Sequence, residues 1–319
     1  MRRAGIALST LLPAMLALTL PAAAAEPKVV VTIKPLHALV SQVMAGAGEP
    51  ELLVKGSASP HTYALKPSDA RALNQADLFF RVSETVEPFT AKVVKSLPRR
   101  VEVVTVQQAP GLTLLARRTG ATFETHSHGH GHGHRHTHAP SADAADGHVW
   151  LDPANARLIV DRIAAALSAR DAANAARYAQ NAAAAKAKID ALSAELERAL
   201  APVAGKPYIV FHDAFQYFER RFGLNVVGSI SISPDIPPSA KRLSELRQKI
   251  STLGAVCVFA EPQFSTRLVD TLTEGTAART GALDPEGGRL EPGPDLYATL
   301  MRNLASDLRS CLLGPSAGG

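Results

Sequence analysis

The chain has 319 residues, a formal net charge of +5, and 46% hydrophobic against 20% charged residues. The length exceeds one ordinary core and predicts two lobes, and the composition is that of a soluble globular protein. The small positive surplus forms no Lys/Arg run and no arginine-aromatic stripe, so nucleic-acid binding has no support.

Arg2 and Arg3 precede an apolar run from Ile6 to Leu20, broken once by Pro13, and Pro21 to Ala25 supplies small residues of the A-x-A type. This predicts a signal peptide over 1–25, cleaved after Ala25, and a secreted protein. The alternative, an anchor helix, is disfavoured by the shortness of the run and its small-residue exit. No Cys follows the run, so no lipid attachment is expected. Loss of Arg2 and Arg3 lowers the net charge from +5 to +3.

A buried-type strand is predicted over Lys28 to Ile33 (KVVVTI) and a helix from Pro35 to about Met44. A short strand follows at Glu51 to Val54. Pro67-Ser68-Asp69 opens a helix through Asn74, with Pro in its first turn. Leu78 to Val82 and Val101 to Val106 read as further strands, and the alternation implies a parallel sheet with helices on its faces. From 124 to 147 the pattern gives way to a polar, His-loaded insertion without core-forming spacing.

Asp152-Pro153 begins a helical stretch, and 171–201 is Ala-rich without Gly. An unbroken helix of about 31 residues there would span roughly 46 Å, long enough to act as a strut packed along both lobes. Alternation resumes with a strand at Tyr208 to Phe211, a helix from Ala214 to Phe222, and an extended Asn225 to Ile232. A helix over Ala240 to Leu253, a strand over Ala255 to Ala260, a helix from Thr266 to about Thr280 and a last helix from Asp295 to Leu312 complete a second α/β lobe. The expected organisation is a first lobe over 26–151, a helical linker over 152–201 and a second lobe over 202–319. The class is α/β, with two similar parallel-sheet lobes joined by one long rigid helix. The two cysteines, Cys257 and Cys311, are expected to form a disulfide in an oxidising compartment, the alternative being two buried free thiols.

Eleven histidines are present, and seven of them (His126, His128, His130, His132, His134, His136 and His138) alternate with Gly and other residues in one tract. Neutral imidazoles on a flexible backbone bind Zn²⁺, Cu²⁺ or Ni²⁺ without a preformed geometry. Ordering such a tract costs entropy, which argues for an accessory role and a tight site elsewhere. His61 follows the second strand, His212 directly follows a strand of the second lobe, and His148 lies between the insertion and Trp150. Ligands of open parallel sheets bind at the carboxyl ends of strands, so a metal site between the lobes is expected. His37 is expected to be structural.

The segments Ser59-Pro60-His61-Thr62-Tyr63-Ala64-Leu65-Lys66-Pro67-Ser68-Asp69, His148-Val149-Trp150-Leu151-Asp152-Pro153, Phe211-His212-Asp213-Ala214-Phe215 and Phe259-Ala260-Glu261-Pro262 resemble, in this order, the zinc-uptake solute-binding proteins of the ZnuA type. The resemblance covers the mature chain, including the His-rich insertion and both cysteines. It implies a C-clamp of two lobes bridged by a long helix and a periplasmic receptor that passes Zn²⁺ to a membrane permease with its cytoplasmic ATPase. A monomer without enzymatic activity is expected. The implied ligands are His61, His148 and His212, with Asp284 in the fourth place and water or a tract histidine as substitutes. Some members carry Glu immediately before the first His, where this chain has Pro60.

Related manganese-binding proteins use two His and two carboxylates, with an acid where His212 stands here, and a three-nitrogen set favours Zn²⁺. Three alternatives remain at this stage: a manganese or other divalent-metal receptor of the same family, a metal-dependent hydrolase, and a metal buffer acting through the tract alone. The H-E-x-x-H, P-loop and G-x-S-x-G motifs of the enzyme alternative are absent from the sequence.

Overall fold

The computed structural model describes residues 26–118, 123, 144–234 and 236–314. The expected signal peptide and the seven tract histidines lie outside the described residues.

Strands β1 (Val29–Val31), β2 (Glu51–Leu52), β3 (Leu78–Arg81) and β4 (Glu102–Thr105) form a parallel sheet in the order β2-β1-β3-β4. All three valines of β1 are buried, as a strand covered on both faces requires. Helix α1 (Lys34–Met44) carries Pro35 in its first turn, and α2 (Pro67–Gln75) begins on Pro67. The Lys66 backbone N–H donates to Asp69 Oδ2 at 2.9 Å, which fixes the start of α2. The seven-residue α3 (Thr90–Ser96) was not expected from the sequence, being too short to carry a periodic signal.

The second lobe repeats the plan. Strands β5 (Pro207–His212), β6 (Asn225–Ser231), β7 (Cys257–Ala260) and β8 (Arg279–Ala282) are parallel in the order β6-β5-β7-β8. Helices α6 (Gln216–Phe222), α7 (Ala240–Leu253), α8 (Arg267–Thr273) and α9 (Leu296–Leu313) complete it. The helix expected over 266–280 is therefore shorter. Gly275 turns the chain at φ 72°, a left-handed conformation that ends a helix readily, and 279–282 pairs with β7 instead.

Between the lobes run α4 (Pro153–Arg170) and α5 (Ala175–Leu200). The expected continuous helix over 171–201 is interrupted at its start. Asp171 accepts from Asn174 Nδ2 and from the Tyr178 hydroxyl, both at 2.8 Å, and a short 3-10 turn over Ala172–Asn174 separates the two helices. The 26-residue α5 spans about 39 Å. It packs against α1 of the first lobe and α9 of the second, as a strut would.

One contiguous apolar core runs from β1 and α1 through α4 and α5 to β5 and α9, and includes Trp150, Tyr178 and Tyr297. Smaller clusters lie under the outer faces, around Phe79 in the first lobe and Ile209 in the second. The lobes thus share their inner core. The Lys34 ammonium reinforces this junction by donating to the carbonyls of Gly287, Gly288 and Leu290 at 3.1, 2.8 and 2.7 Å. A disulfide between Cys257 and Cys311 ties β7 to α9.

Candidate metal centre

His61 lies in the loop between β2 and α2. The Tyr63 hydroxyl donates to Asp69 Oδ2 at 2.8 Å, and the Tyr63 ring stands edge-on to Phe89 at 5.2 Å. These contacts hold the His61 loop to the start of α2.

His148 precedes a 3-10 turn over Val149–Leu151 that runs into α4. The buried Trp150 anchors this turn: its Nε1–H donates to Pro285 O at 3.0 Å, and its carbonyl accepts from the Tyr297 hydroxyl at 2.9 Å. Asp152 caps α4 by accepting from Ala154 N–H at 2.9 Å. Gly147 lets the chain approach the loop after β3. A Cβ there would lie 2.6 Å from Ser83 Oγ, Thr85 Oγ1 and Val86 Cγ2.

His212 ends β5, and the neighbouring strand β7 runs directly into Glu261. Glu261 Oε1 accepts from the His212 backbone N–H at 3.1 Å and from its Nδ1–H at 2.5 Å. Asp146 Oδ1 treats His148 in the same way, at 3.0 Å from the backbone nitrogen and 2.7 Å from Nδ1.

The three imidazoles converge, with ring centroids 5.3 to 5.4 Å apart. One ligand-type atom from each lies within 4.8 Å of the other two. The carboxylates place the proton of His148 and His212 on Nδ1, which leaves an Nε2 lone pair on each ring. Those two Nε2 atoms face each other at 3.4 Å. His61 bonds the Thr85 backbone, and its buried Nε2 has no partner, so its free lone pair is also on Nε2. Facing lone pairs repel unless a cation lies between them. A tetrahedral ion with metal–nitrogen bonds of about 2.0–2.1 Å sets its ligand nitrogens about 3.3 Å apart, close to the 3.4 Å between the His148 and His212 nitrogens. The space beside the rings, lined also by Thr85, Asp146 and Asp213, is about 70 Å³.

Burial, with the neighbouring His148 and His212, holds the His61 imidazole well below its usual pKa, so it stays neutral. His212 goes the other way. Burial lowers its pKa, but the Glu261 carboxylate outweighs this and the net shift is upward. Beside His212, Asp213 is bound by Arg118, whose Nε is 3.1 Å from both carboxylate oxygens. Arg118 also donates to both oxygens of Glu219 at 2.8 Å. Burial pushes Glu219 up to about 7 in spite of that partner.

Asp284 is placed differently. Its Oδ1 accepts from Gln263 Nε2 at 3.0 Å and from the Glu286 and Gly287 backbone N–H groups at 3.1 and 2.9 Å. It caps its own turn and is not part of the three-histidine group. His37, expected to be structural, bonds Pro50 O at 3.0 Å. Asp146, Gly147, Thr85 and the orienting role of Glu261 were not foreseen. The acid two residues before His148 was a usable signal, but the insertion assigned to 124–147 absorbed it.

The family model described as "Zinc-uptake complex component A periplasmic" (ZnuA) matches residues 29–311. The chain is 47% identical over 304 residues to the high-affinity zinc uptake system protein ZnuA of Brucella abortus, with 89% of this chain and 91% of the relative covered. It is 40% identical over 309 residues to the ZnuA protein of Paracoccus denitrificans, with 92% and 94% covered. Among solved structures, the periplasmic zinc binding protein TroA of Treponema pallidum shares the fold with a TM-score of 0.76, over 90% of this chain and 99% of that one, at 21% identity.

Proposed function

The chain belongs to the ZnuA family of periplasmic zinc-uptake components, and we propose that it captures Zn²⁺ between its lobes on the Nε2 atoms of His61, His148 and His212. The observation that carries this reading is the 3.4 Å approach of the His148 and His212 Nε2 atoms, each ring being backed by a carboxylate on Nδ1. Three neutral imidazoles form a set suited to Zn²⁺ and poorly suited to the harder Mn²⁺. Asp146 and Glu261 fix the tautomers, orient the rings and raise their basicity.

The protein acts as the receptor of an importer. It binds the ion in the periplasm and presents it to a membrane permease driven by a cytoplasmic ATPase. The site works by binding and release, without chemistry on the cargo. The fourth coordination place belongs to a small oxygen ligand, since Asp284 is committed to its turn. Metal analysis of protein purified without an affinity tag tests the reading. One zinc per chain that survives exhaustive dialysis is expected, and a protein that retains none overturns it.

A further inference from the structure

We propose that a second pocket beside the metal position binds a small carboxylate anion, which completes the coordination of the captured zinc. This rests on the three-histidine reading and adds a ligand to it.

A cavity of about 500 Å³ lies against His61. It shares His61, Thr85, Arg117 and Ser233 with the space beside the imidazoles, so the two adjoin. Its floor is the carboxyl end of the first sheet, where β3 ends at Arg81 and β4 at Thr105. Ligands of open parallel sheets bind at this end. Ser233 and Ile236 of the second lobe form the opposite wall.

The charges of this cavity suit an anion. Arg81 is buried, and its guanidinium is fixed by Thr105 Oγ1 at 2.9 Å and Thr90 Oγ1 at 2.8 Å. Arg117 is exposed and makes no ion pair with any described residue. Among the described residues, the only carboxylate in the lining is Glu84, whose side chain is 55% exposed and lies 3.4 Å from Arg81. Among the described residues, two guanidiniums against one carboxylate disfavour a bare divalent ion and favour an anion.

The metal position needs such a ligand. Three imidazoles give zinc no anionic ligand of its own and leave one tetrahedral place open. The acid expected there, Asp284, is held in its own turn. An anion in the cavity can bind zinc with one carboxylate oxygen while Arg117 binds the rest. The cavity is of a size for small molecules, which fits a hydroxycarboxylate or an amino acid. The cargo then enters as a small chelate that keeps one of its ligands.

Native mass spectrometry of the full chain tests this, with citrate and L-glutamate as separate probes and glycerol as the uncharged control. The zinc-loaded wild type is expected to hold one citrate or one glutamate and no glycerol, and the stronger adduct identifies the ligand type. Metal-free protein, and zinc-loaded Arg117→Glu and Arg117→Gln, are expected to bind the probe at least tenfold more weakly. Zinc content is read in the same spectra. Zinc-loaded wild type without an anion adduct overturns this proposal and leaves the three-histidine site standing. Adducts of equal strength in metal-free protein or in both Arg117 variants also overturn it. A wild type that takes up no zinc overturns both readings.

Discussion

Two kinds of histidine meet in the three-imidazole cluster. His148 and His212 are buried and each has a carboxylate on Nδ1, from Asp146 and Glu261. His61 sits on a loop, is less buried, and is backed by a neutral backbone group at Thr85. The pair is held in place by its carboxylates, whereas the third imidazole, His61, is held through its loop by Tyr63 and Asp69. Affinity should therefore depend most on the pair, and His61 should complete the site.

The largest effect is expected from removing one of the pair. His212→Ala should weaken zinc binding by more than about 100-fold, the upper end of what loss of a supporting group costs. Chelator competition measures this, and circular dichroism should show the fold retained. His61→Ala should cost less than His212→Ala, and equal losses would erase the distinction between the two kinds of ligand. Gly147→Val should approach the His212→Ala loss, because the side chain it introduces meets Ser83, Thr85 and Val86 and forces the backbone next to His148 to shift.

The supporting carboxylates come next. Glu261→Gln and Asp146→Asn should each weaken zinc binding by about 10–100-fold. Glu261→Gln should also change the pH dependence. Zinc must displace a proton from any imidazole that is protonated. His212 has its pKa raised by Glu261, so in the wild type affinity should begin to fall as pH drops through that raised value. His61, held well below its usual pKa by burial, adds its own loss only at lower pH. With Glu261 neutralised, the first fall should move to lower pH, and zinc titrations between about pH 5 and 8 would show it. An unmoved profile would mean that Glu261 only positions the ring.

The smallest effect on zinc should come from the disulfide, which lies away from the imidazoles. Cys257→Ser with Cys311→Ser should lower folding stability by about 4 kcal/mol, by the loop-entropy estimate for a loop of this size. Denaturant melts measure this, and zinc affinity should stay near that of the wild type.

The sequence shows these two kinds of histidine only in part. All three stand outside the tract, and two of them follow strands, so a position at the sheet ends was legible. Their supports were not. Glu261 is 49 residues from His212, and the pair meets only because β5 and β7 are neighbours in the sheet. Asp146 and Gly147 lie at the end of a polar stretch whose composition gave no reason to separate them from it. The alternation of strands and helices was legible because buried valines and prolines at helix starts mark it locally. The break at Asp171 was not, since Ala-rich residues favour a helix on both sides and the interruption depends on Asn174 and Tyr178. Strand β8 is mostly exposed and forms by pairing with β7, so it carries no alternating signal of its own.

The same boundary sets the most direct test of where zinc is held tightly. A deletion of 124–143 removes the seven tract histidines and spares Asp146, Gly147 and His148, whereas a deletion extended to 147 would also remove a support of the site. Zinc titration of the 124–143 deletion against a competing chelator should find one ion per chain held with wild-type affinity, and only weaker additional binding lost. Loss of the tight ion from this variant would place it on the tract and contradict the assignment to His61, His148 and His212.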